Sequence, residues 1–236
     1  MYDAGRLGSP AAGARSVASY LWHRGITRLD AIVLSHADVD HYNAVPELLT
    51  KFRIGVIYVT PAMLLDEGPA MQELLAAIHA AKVPLRETWS GDRLRVGGDC
   101  LLEVWHPARD GVLGSDNANS LVLNVEYQGR RILLTGDLES PGLDDLLAEA
   151  PAHCDAILTP HHGSARSNPP GFAAWSTPDV AVVSGSFNDR RAEVEQAYRA
   201  SGAQVLNTAD CGAIEFSVGG DGIRLSTWKH IPSTPR

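Results

Sequence analysis

The stretch that decides the fold is Ser35-His36-Ala37-Asp38-Val39-Asp40-His41, in which two imidazoles and two carboxylates lie close together. It follows an apolar run, residues 31–34, that predicts a buried strand. It precedes residues 43–52, whose apolar side chains recur at helical spacing and predict a helix. We therefore expect the four polar side chains on a strand-to-helix loop. Ligands gather at the carboxyl ends of strands in layered α/β folds.

These residue types indicate a metal site. Imidazole and carboxylate groups bind Zn, Mn or Fe ions at neutral pH without any unusual pKa. On an extended loop, alternate residues point the same way, and His41 would face back from the start of the helix. The alternative is a solvated acidic loop with unrelated histidines. The density of ligand types behind a buried strand favours the metal site.

Further motifs give the chain a family resemblance. At residues 36–41 the sequence resembles the metallo-β-lactamase superfamily, whose loop reads His-x-His-x-Asp-His, with Asp38 here at the second histidine position. This variant is similar to the hydrolase domain of ComEC-type DNA-uptake proteins. More motifs of that family follow in the family's order: Met1-Tyr2-Asp3-Ala4-Gly5, Asn119-Ser120-Leu121-Val122-Leu123, Leu134-Thr135-Gly136-Asp137 and His161-His162-Gly163-Ser164.

The resemblance implies an α/β fold, the αββα sandwich of two mixed β-sheets flanked by helices. The order of predicted elements agrees, because strands and helices alternate on both sides of a β-rich centre. We expect residues 1–236 to form one hydrolase domain. In the family a strand pair precedes the first motif, so we expect the N-terminal strands to be missing and suspect a fragment of a longer protein.

The resemblance also implies two divalent metal ions, Zn or Mn, because six ligands are too many for one catalytic zinc. His36 and Asp38 would hold one ion, Asp40 and His41 the other, and Asp137 would bridge them. One histidine of the pair at 161 and 162 completes the set. We expect His161 to be that ligand, and Asp40 and His162 to act in catalysis. The oxygen donors of Asp38 favour Mn or Mg relative to Zn.

Four residues are expected to contact the substrate: Asn119, Ser164, Arg190 and Arg191. The family shows a Tyr-Gly-His-Pro element before its last helix, whereas residues 187–192 here read Phe-Asn-Asp-Arg-Arg-Ala. The two arginines could take over a phosphate contact, since guanidinium groups bind phosphate oxygens in pairs. The alternative is that they pair with glutamates on the surface.

The expected function is metal-dependent hydrolysis, with a nuclease or other phosphodiesterase preferred and nucleic acid as the partner. Alternatives are hydrolysis of a lactam, lactone or thioester on the same fold, and an inactive metal-binding domain. The net charge of −8 argues against a broad nucleic-acid-binding face. No apolar stretch is long enough to span a membrane. We expect a soluble chain, extracytoplasmic and possibly attached to a membrane channel if it is a fragment, and otherwise cytoplasmic.

Overall fold

The computed structural model describes residues 1–185, 191–220 and 222–229. The first half of the chain forms a small three-stranded parallel sheet and a separate parallel strand pair. Its short strands are Arg28–Leu29 (β1), Ile32–Val33 (β2), Arg53–Ile54 (β3), Ile57–Val59 (β4) and Leu85–Glu87 (β5). Strands β2, β4 and β5 lie side by side, Tyr2 bridges to Val33 at the β2 edge, and β1 pairs separately with β3.

A larger sheet follows along the chain. Its strands are Arg93–Val96 (β6), Cys100–His106 (β7), Val122–Tyr127 (β8), Arg130–Leu134 (β9), Ala156–Leu158 (β10), Val180–Val183 (β11) and Gln204–Asn207 (β12). They lie in the order β12-β11-β10-β9-β8-β7-β6. Strands β6 to β9 are antiparallel neighbours, and β9 to β12 are parallel. Ile214–Gly219 (β13) and Gly222–Thr227 (β14) form a separate hairpin.

The helices are Pro10–His23 (α1), Val39–Tyr42 (α2), Val45–Lys51 (α3), Pro69–Ala80 (α4), Gly142–Ala148 (α5), Pro170–Ser176 (α6), Arg191–Ala200 (α7) and Thr208–Cys211 (α8). Among the described residues, no helix has the length and apolar character needed to cross a membrane.

Three layers of buried apolar side chains hold these elements together. One layer packs the helices of the first half, α1 to α4, against the small sheet, as in the contact cluster that includes Ile32, Leu48 and Leu74. A second packs α5, α6 and α7 against the outer face of the large sheet. The third, centred on Val33 and Leu123, lies between the sheets. Because strand side chains alternate between faces, two sheets can share a core and still bind helices outside. The fold is the predicted αββα sandwich, although the small sheet β2-β4-β5 is parallel rather than mixed as expected.

One helix differs from the prediction. The sequence pattern predicts a helix over residues 43–52, which α3 matches from Val45 to Lys51, but a second short helix, α2, precedes it over Val39–Tyr42. Pro46 lies in the first turn of α3, where its missing N–H is no loss. Asp38 is the N-cap of α2, so Asp40 and His41 lie on a helix rather than on a loop. Helix α6 and strand β12 were not predicted.

Candidate metal centre

Three segments at the carboxyl ends of β2, β9 and β10 lie together, with the first of them held by Leu121 just before β8. The N–H of Leu121 donates to the Ser35 carbonyl at 2.8 Å, and the N–H of His161 donates to the Gly136 carbonyl at 3.1 Å. Gly136 has φ 54°, and an added Cβ would lie 2.9 Å from the Ser35 side chain. Glycine is needed there for both reasons. Residues distant in sequence are thereby brought to one place.

The first histidine of the loop is buried. His36 is 1% exposed, and its Nε2 lies 3.4 Å from Oδ2 of Asp38, which is half-exposed. The contact with the His36 imidazole lowers the pKa of Asp38. The rings of His36 and His41 are 4.2 Å apart between centroids. An aspartate at position 38 therefore stays ionised beside the imidazole and can share an ion with it.

The second histidine, His41, lies between two carboxylates. Its Nδ1 is 2.8 Å from Oδ2 of Asp3, and its Nε2 is 3.3 Å from Oδ1 of Asp137. Burial alone would lower the pKa of His41, but Asp137 and Asp3 outweigh it and raise the pKa to about 10. Burial would raise the pKa of Asp137, and contact with His41 lowers it instead. In the absence of metal the pocket therefore favours a positive charge at His41.

Asp3 orients both imidazoles. The Ser35 N–H and hydroxyl donate to its carboxylate at 2.7 and 2.8 Å. Because the Ser35 hydroxyl proton is used there, Ser35 Oγ accepts the proton on Nδ1 of His36 at 2.8 Å. His41 donates its Nδ1 proton to Asp3. Sequence reasoning treated Asp3 only as part of a turn motif. The signal was an acidic residue in a family motif, but nothing local linked it to position 41.

The ligand-type atoms form two overlapping groups. His36, His41 and Asp137 offer atoms that all lie within 4.8 Å of one another, and so do Asp40, His41 and His162. The Nε2 atoms of His36 and His41 are buried, and each faces a carboxylate oxygen, of Asp38 and of Asp137, without forming a well-aligned hydrogen bond. A buried imidazole nitrogen with no partner is costly unless something binds it. These orphan atoms and the nitrogen–oxygen donor set fit divalent metal ions.

The two adjacent histidines of the second half have different partners. Nδ1 of His162 lies 2.7 Å from the Ser184 carbonyl, which can only accept, so the proton is on Nδ1 and Nε2 is free. A histidine fixed in this way is typical of metal ligands. Nδ1 of His161 instead lies 3.8 Å from Oε2 of Glu139. Both Nε2 atoms approach Oδ2 of Asp137, at 3.7 Å from His161 and 3.6 Å from His162.

The loop that carries these histidines is strained and braced. His161 and His162 have φ 48° and 53°, in the left-handed region that costs other residues than glycine roughly 1–3 kcal/mol. The buried amide of Asn168 donates to the carbonyls of Pro160 and Ser164, both at 2.8 Å. Its Oδ1 accepts the Tyr198 hydroxyl at 2.9 Å. Asn168 is a structural residue that the sequence did not single out.

The structure describes the side chains of two of the four residues expected to contact the substrate. Asn119 is 8% exposed, and its amide is engaged by the backbone of Val112 and Ser115. The amide therefore braces its own loop, and a contact of Asn119 with substrate stays a prediction. Ser164 is half-buried beside the histidines, and its N–H donates to the His161 carbonyl. Arg190 and the side chain of Arg191 lie outside the described residues.

A cavity of ≈ 250 Å³ opens beside the second group of ligands. Its walls include Asp40 and His162 together with Val17, Leu158, Thr159 and Ser184. The Thr159 hydroxyl is buried there without a hydrogen-bond partner. The cavity therefore combines apolar walls with the candidate ligands.

The fold and this arrangement define a class of protein. The chain belongs to the metallo-β-lactamase superfamily, whose family pattern matches residues 1–168. Among solved structures, the metallo-β-lactamase-fold protein YhfI of Bacillus subtilis aligns with a TM-score of 0.56 at 11% identity, covering 87% of this chain and 82% of that one. At that identity the likeness shows the fold alone. Divalent metal binding by a hydrolase follows from the family.

Two relatives with similar sequences are competence proteins. The chain is 31% identical over 209 residues to ComE operon protein 3 of Bacillus subtilis, covering 86% of this chain and 26% of that protein. It is 29% identical over 223 residues to competence protein ComA of Neisseria gonorrhoeae, covering 92% of this chain and 29% of that protein. The chain thus spans between a quarter and a third of these relatives. The predicted similarity to ComEC-type proteins is confirmed.

Proposed function

We propose that this chain hydrolyses phosphodiesters, with DNA or another nucleic acid as substrate, at a centre for two divalent metal ions. The observation that carries the proposal is the pair of overlapping ligand groups, which share His41 and are also linked by Asp137, a member of the first group that contacts His162 of the second. The competence relatives support a DNA-related substrate. A place beside a membrane channel stays a prediction from the same resemblance.

The geometry supports a specific division of ligands. We assign His36 and Asp38 to one ion, because their side chains are in contact. Asp40, His41 and His162 would hold the second. Asp137 would be shared, since its carboxylate lies within 4.8 Å of His36, a ligand of the first ion, and also contacts His41 and His162, ligands of the second. The assignment makes His162 the ligand in place of His161, because the Ser184 carbonyl leaves Nε2 of His162 free to bind.

Divalent ions bound there would supply Lewis acidity, which lowers the pKa of a water and neutralises charge on a phosphate. The chain's own residues then move protons. Asp40, half-buried at the edge of the cavity, would accept the proton of the attacking water. His161 is one-third exposed and lies beside Glu139, so it can pass a proton to the leaving oxygen. The proposal thus moves the general-acid role from His162 to His161.

The exchange of the two histidines can be tested by mutation. His162→Ala should weaken binding of Mn²⁺ or Zn²⁺ and abolish turnover together, because a ligand is removed. His161→Ala should keep metal affinity and lose kcat, because only a proton donor is removed. Calorimetric metal titration and steady-state kinetics on the two variants separate these effects. Loss of metal binding in His161→Ala with retention in His162→Ala would restore the original assignment.

The function itself is tested with bis-p-nitrophenyl phosphate. Turnover should disappear after chelation and return with Mn²⁺ or Zn²⁺. Asp40→Ala should abolish turnover without loss of the fold, whereas Asp30→Ala, at the exposed end of a strand pair, should leave it unchanged. Nitrocefin and a lactone test the rival hydrolases. Turnover of those substrates without phosphodiester cleavage would reject the proposal, and metal binding with no turnover would favour an inactive binding domain.

A further inference from the structure

We propose that His106 is a positioning residue for Asp137 and acts through Ser120. The inference rests on the proposed function, because Asp137 matters as a bridging carboxylate. The structure places His106 at the carboxyl end of β7, 3% exposed, on the same edge of the large sheet as the metal centre.

Hydrogen bonds link the imidazole to Asp137 in two steps. Nδ1 of His106 is 3.0 Å from the Ser120 carbonyl, which can only accept, so Nδ1 carries the proton. The Ser120 hydroxyl oxygen in turn accepts the backbone N–H of Asp137 at 3.1 Å. Ser120 is fully buried. His106 therefore holds Ser120 in place, and Ser120 holds the backbone of Asp137.

Close packing fixes the His106 ring, so a change at the ring would displace its neighbours. Gly142, at the start of α5, packs against it, and an added Cβ would lie 2.7 Å from Cε1 of His106. On the other side the N–H of Leu121, next to Ser120, donates to the Ser35 carbonyl. A displacement of Ser120 would therefore move both Asp137 and the strand end that carries His36.

Burying the His106 imidazole costs free energy that burying an apolar side chain would not. Nε2 of His106 is buried and has no hydrogen-bond partner, and burial lowers the pKa of the ring. A leucine of similar size would leave no polar atom unpaired. What the imidazole adds is the hydrogen bond to Ser120, and that hydrogen bond leads to the metal centre.

Four variants test the inference with metal affinity as the readout. His106→Leu removes the donor, His106→Asn retains an amide N–H near the position of Nδ1, and Ser120→Ala removes the acceptor for Asp137. Val104→Ala, a buried β7 side chain in the layer between the sheets, matches the loss of stability without touching Ser120. Each is titrated calorimetrically with Mn²⁺, and the absorption spectrum of bound Co²⁺ reports the ligand geometry.

We expect His106→Leu and Ser120→Ala to bind Mn²⁺ about tenfold more weakly than the wild type, with a changed Co²⁺ spectrum. His106→Asn should restore both, and Val104→Ala should lower the melting temperature without changing either. Wild-type affinity in His106→Leu, or no rescue by His106→Asn, would overturn the inference. If His106→Leu does not fold, Ser120→Ala decides alone. If the wild-type protein binds no metal, the proposed function fails together with the inference.

Discussion

Asp3 shows how one carboxylate can organise two histidines from outside the metal centre. It accepts the N–H and hydroxyl of Ser35 and the Nδ1 proton of His41. Through the Ser35 hydroxyl it also sets the proton position on His36. The free Nε2 atoms of both rings depend on this arrangement, so ligand orientation is decided by a residue that need not touch metal.

At this scale we predict the effect of Asp3→Asn. The amide would present a donor where Ser35 and His41 also donate, so both imidazoles should lose their fixed orientation. Metal affinity should fall about 10- to 100-fold, as measured by calorimetric titration with Mn²⁺.

A matched control is available elsewhere in the chain. Asp92→Asn alters another half-buried carboxylate, one that accepts the Thr88 hydroxyl and the Trp89 N–H away from the centre. It should leave metal affinity unchanged. An equal loss of affinity in both variants would mean that the effect of Asp3→Asn comes from general destabilisation.

Among the elements, the short helix α2 is the one whose placement matters most. It carries Asp40 and His41, and it is held by the Ala4 N–H, which donates to the His41 carbonyl at 2.8 Å. Gly5 lies against its backbone, where an added Cβ would come within 2.6 Å of the Asp40 carbonyl carbon. No side chain fits between the N-terminal turn and this helix.

We therefore predict that Gly5→Ala displaces α2. The variant should lose about 1–3 kcal/mol of unfolding free energy, as overpacking usually costs, and should bind Mn²⁺ more weakly. Chemical denaturation and metal titration measure the two effects. Gly171→Ala, on α6 with open space around it, should change neither. Unchanged metal affinity in Gly5→Ala would show that α2 tolerates the displacement.

The junction of β9 and β10 gives a prediction that depends on pH. Asp155 accepts the Arg131 N–H at 2.7 Å and pairs with the Arg130 guanidinium at 2.9 Å. Burial would raise the pKa of Asp155, but these two contacts outweigh it and lower the pKa below the ordinary 3.8. A lowered pKa means that the ionised carboxylate stabilises the fold above pH 3.8 and that this stability is lost as the pH falls further.

Asp155→Asn should accordingly reduce the unfolding free energy at pH 7 by about 1–3 kcal/mol, because a donor then faces a donor. The difference from the wild type should shrink as the pH is lowered below the ordinary pKa. Urea denaturation over a pH series measures it. Asp179→Asn changes a more exposed carboxylate nearby and should have little effect at any pH. A difference that does not vary with pH would argue against the ion pair.

For the molecule as a whole, the candidate centre lies where the two halves of the chain meet. His36 to His41 come from the first half, whereas Asp137 and the adjacent histidines come from the second. The separate apolar layers on the outer faces of the two sheets do not depend on it. Metal should therefore stabilise the native state by mass action without being required for folding.

Chelation is the corresponding test. An ion present at 100 times its Kd contributes about 2.7 kcal/mol, which corresponds to a fall of about 5–10 °C in melting temperature for a chain of this size. Scanning calorimetry with a chelator, and again after Mn²⁺ is added back, measures the shift. The melting temperature of His36→Ala, which lacks one ligand, should fall less when the chelator is added. If the chelator leaves the melting temperature of the wild-type protein unchanged, metal binding is contradicted.

Much of the fold and of the candidate metal centre could be predicted, because the sequence signals for them are local. Strand β2 and the residues that follow it lie in one short segment, so hydrophobic pattern and ligand types could be read together. Short alternating or apolar runs likewise predict strands at residues 93–96, 156–158 and 180–183, and β6, β10 and β11 have these bounds. The order of the motifs was enough for the fold, which the family match confirms.

The tertiary structure decided what depends on contacts between distant segments. The sequence could not show that Asp3 orients His41, that the Ser184 carbonyl distinguishes His162 from His161, or that His106 reaches Asp137 through Ser120. Each of these depends on a hydrogen bond a few ångströms long between atoms on different elements. Local periodicity carries information about which face a side chain lies on, but the partner it meets there is determined only when the sheets and helices pack.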